Sequence, residues 1–214
     1  MDCCSRHVAA AQRCFGWMSK LSERRYRRKG LDENQQQIVK TLESLGLEGV
    51  SLLEVGCGVG VLHQTLLEMG AANALGIDLA PRMLEFAESR ARERQLNQRT
   101  EYKLGDFVEM CDTLDTADIT VLDKVVCCYP APRELLSAAI TCTRGAIALT
   151  YPRKHLVSEL SNHMWNFGFW LFGSDFRGFV HDPQIIQQSL EERGFHRVFN
   201  RDSRMWHTQV FAAD

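Results

Sequence analysis

An acid and three glycines at alternate positions carry the first chemistry of this chain: Glu54-Val55-Gly56-Cys57-Gly58-Val59-Gly60, directly after the apolar pair Leu52-Leu53. Glycine has no Cβ, so such a stretch tolerates positive φ and lets a ligand lie against bare backbone. Cys57, between the glycines, is small enough to pack there without closing the loop. About twenty residues later Asp78 ends a second apolar run, the separation at which a carboxylate reaches ribose hydroxyls. Dinucleotide loops need G-x-G-x-x-G to bring a pyrophosphate to a helix N-terminus. Here the third such position is Val61, and Glu54 repels a pyrophosphate while suiting a cationic ammonium. The residues fit a cofactor with a ribose and a cationic end.

Those side chains have to be delivered by short buried strands. Apolar runs at Leu52–Val55, Ala74–Asp78, Thr100–Leu104, Asp118–Asp123 and Ala146–Tyr151 alternate with helical patterns at Leu62–Met69, Pro81–Gln95 and Pro132–Thr143, prolines lying near helix starts. Alternation of this kind predicts a parallel sheet with helices on both faces. A helix over Pro183–Arg193 and strands over His196–Ser203 and Met205–Phe211 bring the sheet to seven strands. Upstream, helical periodicity runs from Arg13 to Leu47, broken by Gly30 and restarted by Asp32 as an N-cap. One domain is expected over 1–214: a helical cap (1–48), a cofactor-binding core (51–151), an acceptor-pocket segment (152–181) and a C-terminal helix with two strands (182–214).

The form acidic-x-Gly-x-Gly-x-Gly, with Asp78 and Asp123 closing later strands, resembles the motifs of class I S-adenosylmethionine-dependent methyltransferases over about Leu52 to Tyr151. The resemblance implies an α/β fold, a doubly wound, mostly parallel, seven-stranded Rossmann-like methyltransferase sheet under an N-terminal helical layer, with S-adenosyl-L-methionine as cofactor. It assigns Glu54, Gly56, Cys57, Gly58 and Gly60 to the cradle and Asp78 to the ribose. Asp106, in Gly105-Asp106-Phe107, is assigned to the adenine amino group, with Leu79 and Phe107 flanking the ring. Asp123 borders the methyl group. In this family an N-terminal helix commonly closes over the cofactor, which makes Tyr26 a lid residue with Arg27 and Gly30 beside it.

The aromatic run Trp165 to Gly173, followed by Phe176 to His181, comes after a predicted strand end, where doubly wound sheets form their ligand crevice. It reads as the wall of an acceptor pocket for an apolar or aromatic substrate, and it loosely resembles the tetrapyrrole-carboxylate methyltransferases of the magnesium protoporphyrin type. A hydroxyl acceptor must lose a proton, for which a histidine of ordinary pKa about 6.5 is a natural base. His181 is the first candidate, ahead of His155 and His163, with Tyr129 and Tyr151 as positioning groups. A carboxylate or thiol acceptor needs no strong base, because alignment alone supplies roughly 7–11 kcal/mol. The expected activity is methyl transfer to a small-molecule acceptor, by O-methylation of an apolar or aromatic metabolite. Two alternatives stand beside it. One is a noncatalytic cofactor-binding or scaffold subunit; the other is methylation of a thiol, or of a metalloid gathered by Cys3, Cys4, Cys14, Cys127 and Cys128. Those cysteines lack C-x-x-C spacing, so no resident metal is expected.

With 214 residues, 45% hydrophobic and 24% charged, the chain is long enough for one full core. A formal net charge of −2 supplies no general attraction to nucleic acid or to an anionic membrane. No apolar run reaches the ~20 residues of a membrane span. The expected partner is a small-molecule acceptor, with neither nucleic acid nor membrane, and the sequence sets no oligomeric state. The N-terminus carries its acid first and breaks its apolar stretch with Arg13, unlike a secretory signal, so a cytoplasmic protein with reduced cysteines is expected.

Overall fold

Gly30 and Asp32 punctuate the N-terminal layer. Helix α1 (Cys3–Lys29) stops at Gly30, whose φ is +64°. Helix α2 (Glu33–Leu45) starts from Asp32, whose carboxylate accepts from the Gln35 backbone N–H while the Gln35 side chain accepts from the Asp32 N–H. This reciprocal box satisfies donors that a helix start otherwise leaves unpaired. The computed structural model describes residues 3–213, with side chains from residue 9 onward.

The alternation expected downstream is present. In chain order come β1 (Ser51–Val55), α3 (Val61–Glu68), β2 (Asn73–Asp78), α4 (Pro81–Glu93), β3 (Thr100–Leu104), the short α5 (Phe107–Met110) and β4 (Ala117–Asp123). They are followed by α6 (Pro132–Thr141), β5 (Thr143–Pro152), α7 (Leu156–Leu171), α8 (Pro183–Glu191), β6 (Phe195–Asp202) and β7 (Trp206–Ala213). The seven strands form one sheet in the order β3-β2-β1-β4-β5-β7-β6. β1 to β5 run parallel, and β7 lies antiparallel between β5 and β6.

Period-two alternation divides the core. Leu52, Val121, Ala146 and Ala148 face a layer containing Ile38 and Leu42 of α2 with Leu62, Leu66 and Leu67 of α3. Leu53, Leu122, Ile147 and Leu149 face the opposite layer, with Leu135 and Leu136 of α6 and Ile186 and Leu190 of α8. Each fully buried leucine or isoleucine contributes about 1.5–3 kcal/mol, so both faces are held by the same kind of term.

Two boundaries differ from the sequence expectation. β5 begins at Thr143 rather than Ala146, because Thr143 pairs with Ala117 and its hydroxyl, donating to the Ala139 carbonyl and accepting from the Thr120 hydroxyl, is satisfied inside the sheet. The aromatic run from Trp165 is the second half of α7, a 16-residue helix, with Leu156, Trp165, Phe167, Trp170 and Leu171 exposed.

Candidate functional site

The strand order reverses between β1 and β4, and in open α/β sheets ligands bind in the crevice at such a switch point. A cavity of about 280 Å³ opens there, floored by the loop after β1 and the ends of β2 and β4, and roofed by α1. Two glycines in the loop are required for different reasons. At Gly56 (φ +63°) a Cβ would lie 2.5 Å from Val125 Cγ2, so the loop after β1 and the loop after β4 pack too closely for any side chain. At Gly58 (φ +54°) a Cβ would meet nothing within 4 Å, so this is where bare backbone faces open space. Gly60 caps α3, and the Cys57 thiol packs on Gly76 of β2, buried and raised in pKa chiefly by that burial.

Asp78 closes β2 under this loop. Its Oδ2 accepts from the Gly58 N–H and its Oδ1 from the Ala80 N–H, both at 2.8 Å. Burial raises its carboxyl above the ordinary range against the pull of those two donors. Glu54, expected to face a cation, is engaged elsewhere: Oε2 accepts from the His63 N–H at 3.2 Å and lies 2.5 Å from His63 Nδ1. His63 Nε2 in turn lies 3.0 Å from the Tyr102 hydroxyl. Glu54 borders the cavity but its inner oxygen ties β1 to α3 and β3.

At the end of β4, Asp123 Oδ2 accepts from Gln35 Nε2 at 2.7 Å, while Oδ1 is buried with no closer donor among the described residues than the neighbouring Thr150 of β5, whose side chain favours the ionised carboxylate. Burial raises its pKa, opposed by Lys124. Lys124 is one of two non-glycine residues with positive φ (+60°) among the described residues, and its Nζ lies 2.5 Å from Asp32 Oδ2 and 3.7 Å from Asp123 Oδ2. Gln35 Nε2 also donates to the Tyr26 hydroxyl at 2.8 Å, which fixes Tyr26 in the roof. At the far end, Asp106 caps α5, accepting from the Val108 N–H at 3.0 Å and hydrogen-bonding Tyr129, and burial raises its pKa. Leu79, Phe107 and Tyr129 complete that wall.

Of the cofactor-site residues read from the sequence, Tyr26 included, all but Gly60 line one cavity; Gly60 is the N-cap of α3. The residues proposed for proton chemistry divide. Tyr129 lines the cavity, but His181 does not: its Nε2 donates to the Tyr129 carbonyl at 2.9 Å, its ring stacks on Phe179, and burial lowers its pKa. His155 caps α7, His163 is exposed on α7, and the Tyr151 hydroxyl donates to Gln209 inside the sheet. The exposed Arg27 pairs with buried Glu23 and exposed Glu93, and Gly30 serves as the helix stop. Cys128 reaches the cavity and shares an apolar cluster with Cys14, and its Sγ lies 3.8 Å from that of Cys127. Among the described residues no group of three His, Cys, Asp or Glu is arranged for a metal, and the side chains of Cys3 and Cys4 lie outside the described residues.

Gln35 and Lys124 were not found from the sequence. Gln35 was legible only as the capping-box partner of Asp32, and Lys124 only as the residue after a strand-end acid.

A family model described as a methyltransferase domain matches residues 47–197. The chain belongs to the methyltransferase domain family. The class I assignment resting on Glu54 to Gly60 is borne out, and this methyltransferase domain has solved relatives of the same fold. Magnesium protoporphyrin IX methyltransferase from Synechocystis PCC 6803, solved with bound S-adenosylhomocysteine (SAH), superposes with a TM-score of 0.70 at 19% identity, covering 92% of this chain and 97% of that one. Geranyl diphosphate C-methyltransferase from Streptomyces coelicolor A3(2) gives 0.63 at 13% identity, covering 84% and 79%. Among curated proteins, a ribosomal protein L11 methyltransferase from Yersinia pseudotuberculosis is 38% identical over 64 residues, 30% of this chain. That match spans 22% of the relative's length.

Proposed function

We propose that this methyltransferase domain binds S-adenosyl-L-methionine in the cavity and transfers its methyl group to an oxygen of a small apolar or aromatic molecule. The observation that carries the reading is the open backbone at Gly58, held by the Asp78 carboxylate, in a cavity that Asp106 and Asp123 also line. The carboxylates at the ends of β2 and β4 give the cavity an acidic lining that suits the ammonium of the cofactor's amino-acid portion. Asp78 has the remaining lone pairs for ribose hydroxyls, and Asp106 stands where an adenine amino group can donate. When bound, the cofactor supplies an electrophilic methyl group on a sulfonium. The chain's own residues orient the reactants and exclude water: Tyr26, Phe15 and Met18 roof the cavity, and Val125 and Leu135 supply apolar wall.

No histidine is among the cavity-lining residues described. This supports an acceptor oxygen already ionised at neutral pH, such as a carboxylate, over a hydroxyl that needs a base. Tyr129 is then a positioning group, with His181 holding its backbone carbonyl from behind. Incubation with methyl-labelled cofactor and a panel of aromatic carboxylic acids is expected to give base-labile label, absent from the corresponding amides. Retained SAH binding with no labelling of any acceptor would instead identify a noncatalytic cofactor-binding subunit.

The raised pKa of Asp123 gives a second test. An ammonium beside it favours the ionised carboxylate, so at a pH between its bound and free pKa values, the free value lying above the ordinary carboxylate range, binding releases a proton. SAH affinity should therefore rise with pH across that acid window. Calorimetry in two buffers of different ionisation enthalpy should register the release, and Asp123→Asn should remove it.

A further inference from the structure

We infer that α7 and the outer face of α1 form a docking surface for an anionic lipid bilayer. Every exposed residue of α7 except His163 is apolar, and Trp165, Trp170 and Phe172 are 67%, 61% and 87% exposed. A contiguous apolar face of this kind marks an interaction site rather than ordinary surface. It continues onto α1. Ala10 and Cys14 pack with Phe169 of α7 in one cluster, and Phe15 meets Phe169 through Phe176, with ring centroids 5.3 and 5.1 Å apart. Trp17 and Leu21 extend the Ala10–Cys14 line by further helical turns, and both are exposed.

Charge selects the occupant. The sequence of α1 holds eight basic residues and one acid, in a chain whose formal net charge is −2. Arg13, Lys20, Arg24 and Arg28 recur at helical spacing beside Trp17, all exposed and without an acidic partner among the described residues. The one acid of α1, Glu23, is buried and pairs with Arg27 and Arg90, and α7 carries a single acid, Glu159. A basic stripe beside protruding indoles suits anionic headgroups over an acyl boundary, whereas a second copy would set two such stripes against each other. No helix among the described residues is long and apolar enough to cross a membrane, so the contact is with a surface. It does not depend on the methyl-transfer reading.

Flotation with vesicles tests it. The full chain is expected to float with equimolar phosphatidylcholine and phosphatidylglycerol, at least tenfold better than with phosphatidylcholine alone, and to be released by salt. W165S/W170S/F172S should lose flotation. R24E/R28E should lose the preference for anionic vesicles, at roughly fivefold or more per charge reversed. All variants should keep the SAH thermal shift of the parent, which certifies the fold. Absence of the parent from anionic vesicles, or flotation of the triple variant at the parent level, overturns the inference. So does a parent dimer that the triple variant converts to monomer without vesicle binding, which assigns the face to a second copy.

Discussion

Gly58→Val is expected to leave a folded protein that has lost SAH affinity a hundredfold or more, about 2.8 kcal/mol. Two effects combine. The position has φ +54°, where an L-residue costs roughly 1–2 kcal/mol and a β-branched one more. The new Cβ meets no protein atom within 4 Å, so the folded chain accommodates it while its methyl groups occupy ligand space. Gly58→Ala separates the two, because alanine carries the backbone strain with less volume. Calorimetric titration of SAH, with thermal melts alongside, makes the comparison. Parent-level affinity in the valine variant would refute the assignment of this backbone to the cofactor.

Asp78→Ala has the other large effect, and it falls on stability as well as binding. The carboxylate is the acceptor for the N–H groups of Gly58 and Ala80, one from each side of the cradle. Removing it leaves two donors without partners, at about 1–3 kcal/mol each. Part of that loss is returned, since the carboxylate itself is held against burial. A net destabilisation of about 2–4 kcal/mol is expected, together with weakened SAH binding. Asp78→Asn keeps one acceptor oxygen and should fall between. Denaturant melts read the first effect and SAH titration the second. Loss of binding with an unchanged melt would confine Asp78 to the ligand, and no change in either would remove it from both roles.

How far the site was legible depended on the distance over which each residue acts. Asp78 and Asp123 end apolar runs, and a buried parallel strand delivers its last side chain to the sheet's carboxyl edge, so local pattern sufficed for them. Gln35 was visible as a capping residue, but its bond to Asp123 spans 88 positions in the chain and leaves no local trace. Glu54 was read as a free acid because its partner His63, one helix turn into α3, carries no signal of the direction in which it points. His181 sits at the right place in the chain but on the far side of the Tyr129 backbone, a difference of loop path that periodicity does not encode. The aromatic run of α7 was read as a pocket wall because it follows a strand end, where doubly wound sheets form their ligand crevice. Its composition does not say which way the side chains face, and in the described residues most of them face outward.

The amide of Gln35 has a consequence for how the cavity opens. Its Oε1 is taken by the Asp32 backbone N–H, which fixes the orientation of the group, and the two hydrogens of Nε2 go to Tyr26 and Asp123. The Tyr26 hydroxyl, already an acceptor, keeps its own hydrogen for a third party. The roof therefore has a catch inside the cavity, in addition to the ion pairs Arg27–Glu93 and Arg25–Asp32 that hold α1 from outside. Lifting α1 away from the floor releases the phenol–amide bond, worth about 1 kcal/mol net, while the cap of α2 and the grip on Asp123 stay closed. A ligand that accepts the phenol's hydrogen on arrival replaces that catch with one of its own.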